Sequence, residues 1–347
     1  MNIIRRFAAL LVGAVFFIAG ALKLMDPVGT GLITEEYLRF LGLRFMLPAA
    51  NVLGEAGALT EALLGAALIT GVWRKWVLRL TGILLLLFTG LTALLWVKNP
   101  PMDCGCFGEA LHLTHAQSFW KNIVLLLLWA IAALPTRRKG GARRLKKVAF
   151  ALSVVAILCF AARHLWYLPS DDFTDLRPGA ELMREGEEMV GDVSLPLYDF
   201  EGEYRNELLT DSRAMVFSVY NPERMGPRRW QRIQDLRQAL PMRVRPVLLV
   251  ATTPARAAEF VPQDLLDICY FCDRRQLMTL NRSNGGATLI FRGYVVAKWS
   301  THAYPDREEL QALYSGNETE AMMTFINTSR LRFQAFLLGM FAIMLLL

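Results

Sequence analysis

The sequence predicts an α-helical membrane bundle, four helices plus one or two further spans, together with an α/β soluble domain. Three observations predict it. Apolar runs recur at 7–25, 52–72, 77–97, 119–135 and 148–168, each near the ~20 residues that cross a ~30 Å hydrocarbon core. Basic residues collect in the short segments between alternate runs. Beyond residue 168 the long runs give way to short apolar strands alternating with polar helices. A hydrophobic share of 54% and a mean hydropathy of +0.32 agree with a membrane chain.

The first run follows Arg5 and Arg6 and so has the start of a signal peptide. Its apolar stretch continues to Leu24, well past the roughly 7–15 residues of a signal core, which predicts a retained helix. The shorter run 331–347 is read as a sixth span. The segment 137–147, RRKGGARRLKK, holds seven basic residues and no acid, equal to the whole net charge of +7 (38 basic minus 31 acidic). A charge excess confined to one loop excludes a nucleic-acid footprint, which needs a basic face on a folded domain. Basic loops stay inside. The segment 137–147, the turn at Arg74, Lys75 and Arg79, and the N-terminus at Arg5 and Arg6 are therefore expected inside. Segments 26–50, 98–118 and 169–330 are then expected outside. Arg330 and Arg332 run against that rule for the sixth span. The expected location is a bacterial inner membrane with the soluble domain in the periplasm, and the first expected partner is the lipid bilayer.

Within 170–328 a polar, acidic lead-in (Ser170 to Glu188) reads as a linker. Strands are predicted at 193–199, 214–220, 246–251 and 267–272, and helices at 227–240, 254–266 and 274–281. A hairpin at 287–299 turns at Arg292-Gly293, and a helix at 305–315 follows. Strands alternating with helices predict parallel βαβ pairing.

The chemistry concentrates in an outer loop. Cys104-Gly105-Cys106 follows Pro100 and Pro101, which end helix three. Gly105 permits the positive φ that brings two such close cysteines together. In an oxidising compartment they can pair, and a strained small ring makes an exchangeable bond. The alternative is a structural turn. Ionisable residues inside spans default to function with a named partner. Lys23 and Glu55 are the candidate pair, with Glu61 about 9 Å deeper at 1.5 Å per residue. Lys23 could instead favour a thiolate at Cys104 or Cys106, or snorkel to the interface. Gly54, Gly57 and Gly65 read as close-packing positions. His112 and His115 give an alternative metal set with Cys104 and Cys106, suited to zinc or copper. Cys269 and Cys272 have Cys-x-x-Cys spacing and form a secondary redox candidate. They fall on a strand, where residues three apart face opposite ways. Cys159 reads as an inert apolar residue.

Residues 1–136 resemble the DoxX and MauE group of four-helix membrane proteins. Gly20-Ala-Leu-Lys23-Leu-Met-Asp26-Pro27 and Asp103-Cys-Gly-Cys-Phe-Gly108 carry the resemblance. It implies disulfide formation in a periplasmic client beside a thioredoxin-like partner, and membrane sulfur and quinone redox chemistry, hence a quinone as the implied cofactor. Residues 170–328 resemble a thioredoxin-like domain, with a departure. Met225-Gly226-Pro227-Arg228 stands where Cys-x-x-Cys is expected, and Gly285 or Gly286 where a cis-proline is expected. A docking module is the expected role. The domains are then 1–136, the cytoplasmic loop 137–147, a fifth span at 148–168, the outer domain 170–328 and a sixth span at 331–347. Two functions compete. One is a thiol–disulfide redox protein cycling Cys104 and Cys106. The other is an assembly or binding protein with a structural Cys-Gly-Cys turn.

Overall fold

The structure is a computed structural model and describes residues 2–134, 144–169, 171–182, 194–210, 212–315 and 318–346. The chain forms two compact units, residues 1–165 with 333–347, and residues 166–332.

In the first unit, α1 (Asn2–Met25) ends at Asp26, whose carboxylate accepts from the Gly29 N–H at 2.9 Å and caps α2 (Pro27–Phe40), with Pro27 in the first turn. A 3-10 turn (Arg44–Ala49) leads into α3 (Ala50–Thr70), which Gly71 ends at φ +75°. Then come α4 (Arg74–Lys98), the short strand β1 (Cys106–Glu109), α5 (His115–Ala133) and α6 (Arg144–Trp166). Thr114 and Gln117 close a reciprocal capping box at the start of α5. Among the described residues five helices are long and apolar enough to cross a membrane: Ile3–Met25, Arg44–Thr70, Arg74–Lys98, His115–Ala133 and Arg144–Trp166. The expected outer loop 26–50 is thus helical over most of its length. Most of the basic loop 137–147 lies outside the described residues, as does part of the linker 170–188.

Small residues set the packing of α1 on α3. A methyl group at Gly20 would stand 2.4 Å from the Ala62 nitrogen, and one at Gly65 would stand 2.4 Å from the Phe17 nitrogen. Gly54 packs in the same way against Thr34 of α2, whereas Gly57 meets nothing within 4 Å. Gly65→Val should therefore push α1 off α3. The expected loss of stability is at least the roughly 1–3 kcal/mol of ordinary overpacking, read as a lowered melting temperature of the protein in lipid. Gly57→Ala should leave the melt unchanged.

In the second unit, α7 (Glu207–Thr210) precedes β2 (Arg213–Val219), α8 (Pro227–Ala239) and β3 (Val244–Val250). Next come α9 (Ala257–Phe260), β4 (Cys269–Phe271), α10 (Arg274–Leu280), β5 (Gly286–Phe291) and β6 (Tyr294–Trp299), then α11 (Arg307–Ser315) and α12 (Glu318–Leu346). The sheet order is β4-β3-β2-β5-β6. β2 is parallel to β3 and β3 to β4, β5 runs antiparallel to β2, and Val216 faces Val247 on one side and Thr288 on the other. Met215, Phe217 and Val219 enter the core on one face, and Ala214 and Val216 the core on the other.

Four expectations change here. The run 193–199 contributes no sheet strand among its described residues. Tyr198 instead makes isolated bridges to Phe271 and Tyr204, and Pro196 nearby has no N–H to give a ladder. The helix expected at 254–266 is broken into a 3-10 turn (Pro254–Arg256), α9 and a second 3-10 turn (Gln263–Ile268), because Pro262 cannot continue the helical ladder. That last turn runs to Ile268 and shortens the expected strand 267–272 to three residues. The apolar run 331–347 belongs to a helix that starts at Glu318, and its residues from Phe333 onward belong to the first unit. There Phe336 stacks on Phe160 of α6 with ring centroids 4.0 Å apart, and Phe341 meets Phe17 of α1 edge-on at 5.6 Å.

Candidate functional site

The site grows from the end of α4. Asn99 turns the backbone at φ +41°, and Pro100 and Pro101 then prevent further helix. The chain folds back over the bundle through Gly105 at φ +58°, where an added methyl would strike Ile33 of α2 at 2.4 Å. Only glycine fits that place. The turn brings the Cys104 and Cys106 sulfurs to 3.0 Å as free thiols, about 1 Å outside bonding distance.

The two sulfurs differ in surroundings. Cys104 is buried, at 2% exposure, and its carbonyl accepts a short hydrogen bond from the Tyr37 hydroxyl. The same hydroxyl lies 3.9 Å from its sulfur. Cys106 is partly open, and both cysteines line a cavity of about 90 Å³ together with Tyr37, Lys23, Glu61 and Lys121. One water needs roughly 10–15 Å³ by this measure, so the cavity takes several. Its remaining wall is largely apolar, with Phe16, Leu85, Phe88, Leu91 and Leu125.

This asymmetry sets the acidity of the pair. The Cys104 thiol donates to the Cys106 sulfur, and the ammonium groups of Lys121 and Lys23 add to that pull. Cys106 is held down to about 5 against the opposing effect of burial. Cys104 is pushed well above the usual thiol range, first by that same hydrogen bond and then by burial. Burial, with the charge on the two cysteines, likewise raises Tyr37 and keeps it a donor. The arrangement is one thiolate, one buried thiol and a polar cavity bounded by apolar walls. Chemically, such a pair can exchange with a disulfide.

Lys23 pairs with Glu61, not with Glu55. Its ammonium reaches both carboxylate oxygens of Glu61, at 2.7 and 2.9 Å. The helix register explains the correction. α1 and α3 run antiparallel, since Gly13 meets Gly65 and Leu68 while Gly20 meets Ala58 and Ala62. Lys23 thus lies level with the stretch between Glu55 and Glu61, and its side chain leans back toward the N-terminus of α1, on the Glu61 side. Glu55 lies six residues earlier in α3 and is half-buried away from the cavity. The glycine contacts on α1 and α3 were legible as packing positions. The register they impose was not.

His112 holds Asp103 at 3.1 Å, and His115 bridges the Asn99 side chain at 3.2 Å and the Met102 carbonyl at 2.9 Å. Both histidines brace the loop, and neither lines the cavity. Among the described residues no group of three or more His, Cys, Asp or Glu side chains could hold a metal ion.

In the second unit Cys269 packs into one core and Cys272 into the core on the opposite face. The sheet stands between them, and burial pushes each thiol up to about 12. Met225 packs against Gly285, where a methyl group would stand 2.9 Å from its Cε. Sequence reasoning missed Tyr37 and Lys121. Lys121 was visible as an ionisable residue near the start of an apolar run. Tyr37 carried no signal, because only the fold brings residue 37 to residue 104.

Residues 1–135 match the family model of the methylamine utilisation protein MauE. The match covers the helical part that holds this site. Together with the five apolar helices it makes the chain a multi-pass membrane protein whose N-terminal part is MauE-like. No curated protein and no solved structure matches the chain.

Proposed function

We propose that this is a membrane thiol–disulfide redox protein in which Cys104 and Cys106 exchange with a protein client at the periplasmic face of the bacterial inner membrane. One observation carries the reading: two free sulfurs 3.0 Å apart beside a cavity that holds two ammonium groups and a buried carboxylate. A purely structural turn needs neither the charges nor the cavity.

The exchange runs through Cys106, the more accessible sulfur. In the reducing direction its thiolate attacks a client disulfide, an S–S bond to Cys106 forms, and a client thiolate leaves. Cys104 then gives its proton to that thiolate and attacks the Cys106 sulfur. The products are the Cys104–Cys106 disulfide and a client with one thiol and one thiolate, the latter taking its proton from water. The oxidising direction retraces these steps. The apolar wall formed by Phe16, Leu85, Phe88, Leu91 and Leu125 would also hold a quinone ring, which would supply a two-electron acceptor beside the pair.

The second unit is read as a thioredoxin-like docking domain. Its sheet places β3-β2-β5-β6 side by side, with β2 leading through Gly226-Pro227 into α8. Met225 and Arg228 in place of cysteines, and thiols at 269 and 272 on opposite faces, support docking over catalysis there.

The test is a redox titration of the full-length protein in membranes, with thiol labelling as the readout. The pair should open and close reversibly within the range of a glutathione buffer. Structural disulfides typically lie below about −300 mV and resist that buffer. If both thiols stay reduced throughout, or the bond opens only on denaturation, the assembly-protein reading replaces this one.

A further inference from the structure

The cavity around Cys106 carries unequal charge. Two ammonium groups enter it, Lys23 from α1 and Lys121 from α5. One carboxylate enters it, Glu61 from α3, and it is bound to Lys23 through both oxygens at 2.7 and 2.9 Å. Among the described residues Lys121 makes no ion pair with any carboxylate. It is placed instead over the ring of Phe107, 4.8 Å from the centroid, and Phe107 directly follows Cys106 in the chain. The other titratable groups nearby are Cys104 and Tyr37, which face the pair as neutral donors, and Asp103 on the loop. The wall from α4 brings no titratable group. One positive charge therefore remains uncompensated in a largely apolar surrounding. A thiolate at Cys106 compensates it, and a Cys104–Cys106 disulfide does not.

We infer that Lys121 is a positioning residue that favours the reduced pair and so makes the Cys104–Cys106 disulfide an oxidant of client dithiols. The inference rests on the exchange reading above and gives it a direction. A client thiolate attacks Cys106, the accessible sulfur, and Cys104 leaves and takes a proton. The client's second thiolate then attacks the client sulfur of the mixed disulfide and expels Cys106. The client gains an S–S bond, and the protein gains one thiol and one thiolate. The last leaving group is the sulfur that faces Lys121, and a stabilised thiolate leaves faster. Stabilising the reduced form is also what makes a dithiol couple strongly oxidising.

The full-length protein in lipid is equilibrated with glutathione buffers, and the disulfide fraction is read by thiol labelling. The pH midpoint of Cys106 alkylation is measured on the reduced protein. Lys121→Gln should shift the glutathione equilibrium toward the disulfide by about tenfold or more and raise the alkylation midpoint, since an opposite charge this near moves a thiol by roughly 1–3 pH units. Lys121→Arg should behave as wild type. Glu61→Gln releases Lys23 and should move both readouts the opposite way from Lys121→Gln. A merely structural lysine would move neither readout in this signed pattern. If wild type cycles but Lys121→Gln titrates like it, or Lys121→Arg behaves like Lys121→Gln, the inference fails and the exchange reading stands. If the wild-type pair never changes state, the exchange reading itself fails.

Discussion

Cys106→Ser is expected to reduce thiol–disulfide exchange by the full-length protein to the uncatalysed background, and Cys104→Ser to stall it part-way. The difference follows from the two environments. Cys106 is the more exposed of the two and is held down to about 5, which suits it to attack and to leave. Cys104 is buried, bonded to Tyr37 and pushed above the usual thiol range, which suits it to act second. Without Cys104 the first step still runs, but nothing resolves its product, and a mixed disulfide through Cys106 should accumulate with the client. Without Cys106 no such adduct forms. Alkylation of the reduced wild type should also be nearly independent of pH from about pH 6 to about pH 8, because the thiolate is the reactive form and is already fully populated there. It should fall off as the pH drops toward 5. An ordinary thiol would instead gain rate steeply over that range. Equal adduct yields from both serine variants, or a steep rise toward pH 8, would remove the assigned division of labour.

Parts of this site were legible in the sequence, and physics separates them from the rest. The spans could be read because crossing a bilayer demands long apolar runs whatever the neighbours do. The Cys104-Gly105-Cys106 turn could be read because residues so close in the chain constrain each other locally. Lys23 could be read as a buried charge, but its partner could not. The choice between Glu55 and Glu61 depends on how far α3 slides along α1, and that is set by contacts at Gly20 and Gly65 in three dimensions. Tyr37 comes from a helix 67 residues before Cys104 in sequence, whereas Lys121 sits on the helix that directly follows the loop. The helix at 27–40 was missed because it holds two glycines and several β-branched residues, although Asp26-Pro27 was a proper start signal. In the second unit the opposite facing of Cys269 and Cys272 followed from strand geometry alone. The breaking of 254–266 needed closer regard for Pro262.

The Lys23–Glu61 pair yields the second large effect. Both side chains are largely shielded, at 15% and 7% exposure, and the contact is bidentate. Removing one partner of such a pair leaves a charge without compensation, which typically costs about 3–5 kcal/mol. Lys23→Met and Glu61→Leu should each lower the unfolding midpoint in lipid by that order. Replacing both at once removes the stranded charge, and buried pairs exchanged for apolar residues are often neutral or better. The double variant should therefore recover most of the lost stability. The chemistry at Cys106 should follow a different pattern. Lys23→Met strands Glu61 as an anion near the thiolate and should raise the pH midpoint of Cys106 alkylation. Glu61→Leu strands a cation and should lower it. The double variant removes one charge of each sign and leaves Lys121 in place, so its midpoint should return close to wild type. Opposite shifts in the two single variants, with the same sign of stability loss, would separate what this pair does for the fold from what it does for the thiol. If the double variant stays as unstable as either single one, Lys23 and Glu61 hold the bundle through packing or further contacts and not through their charges.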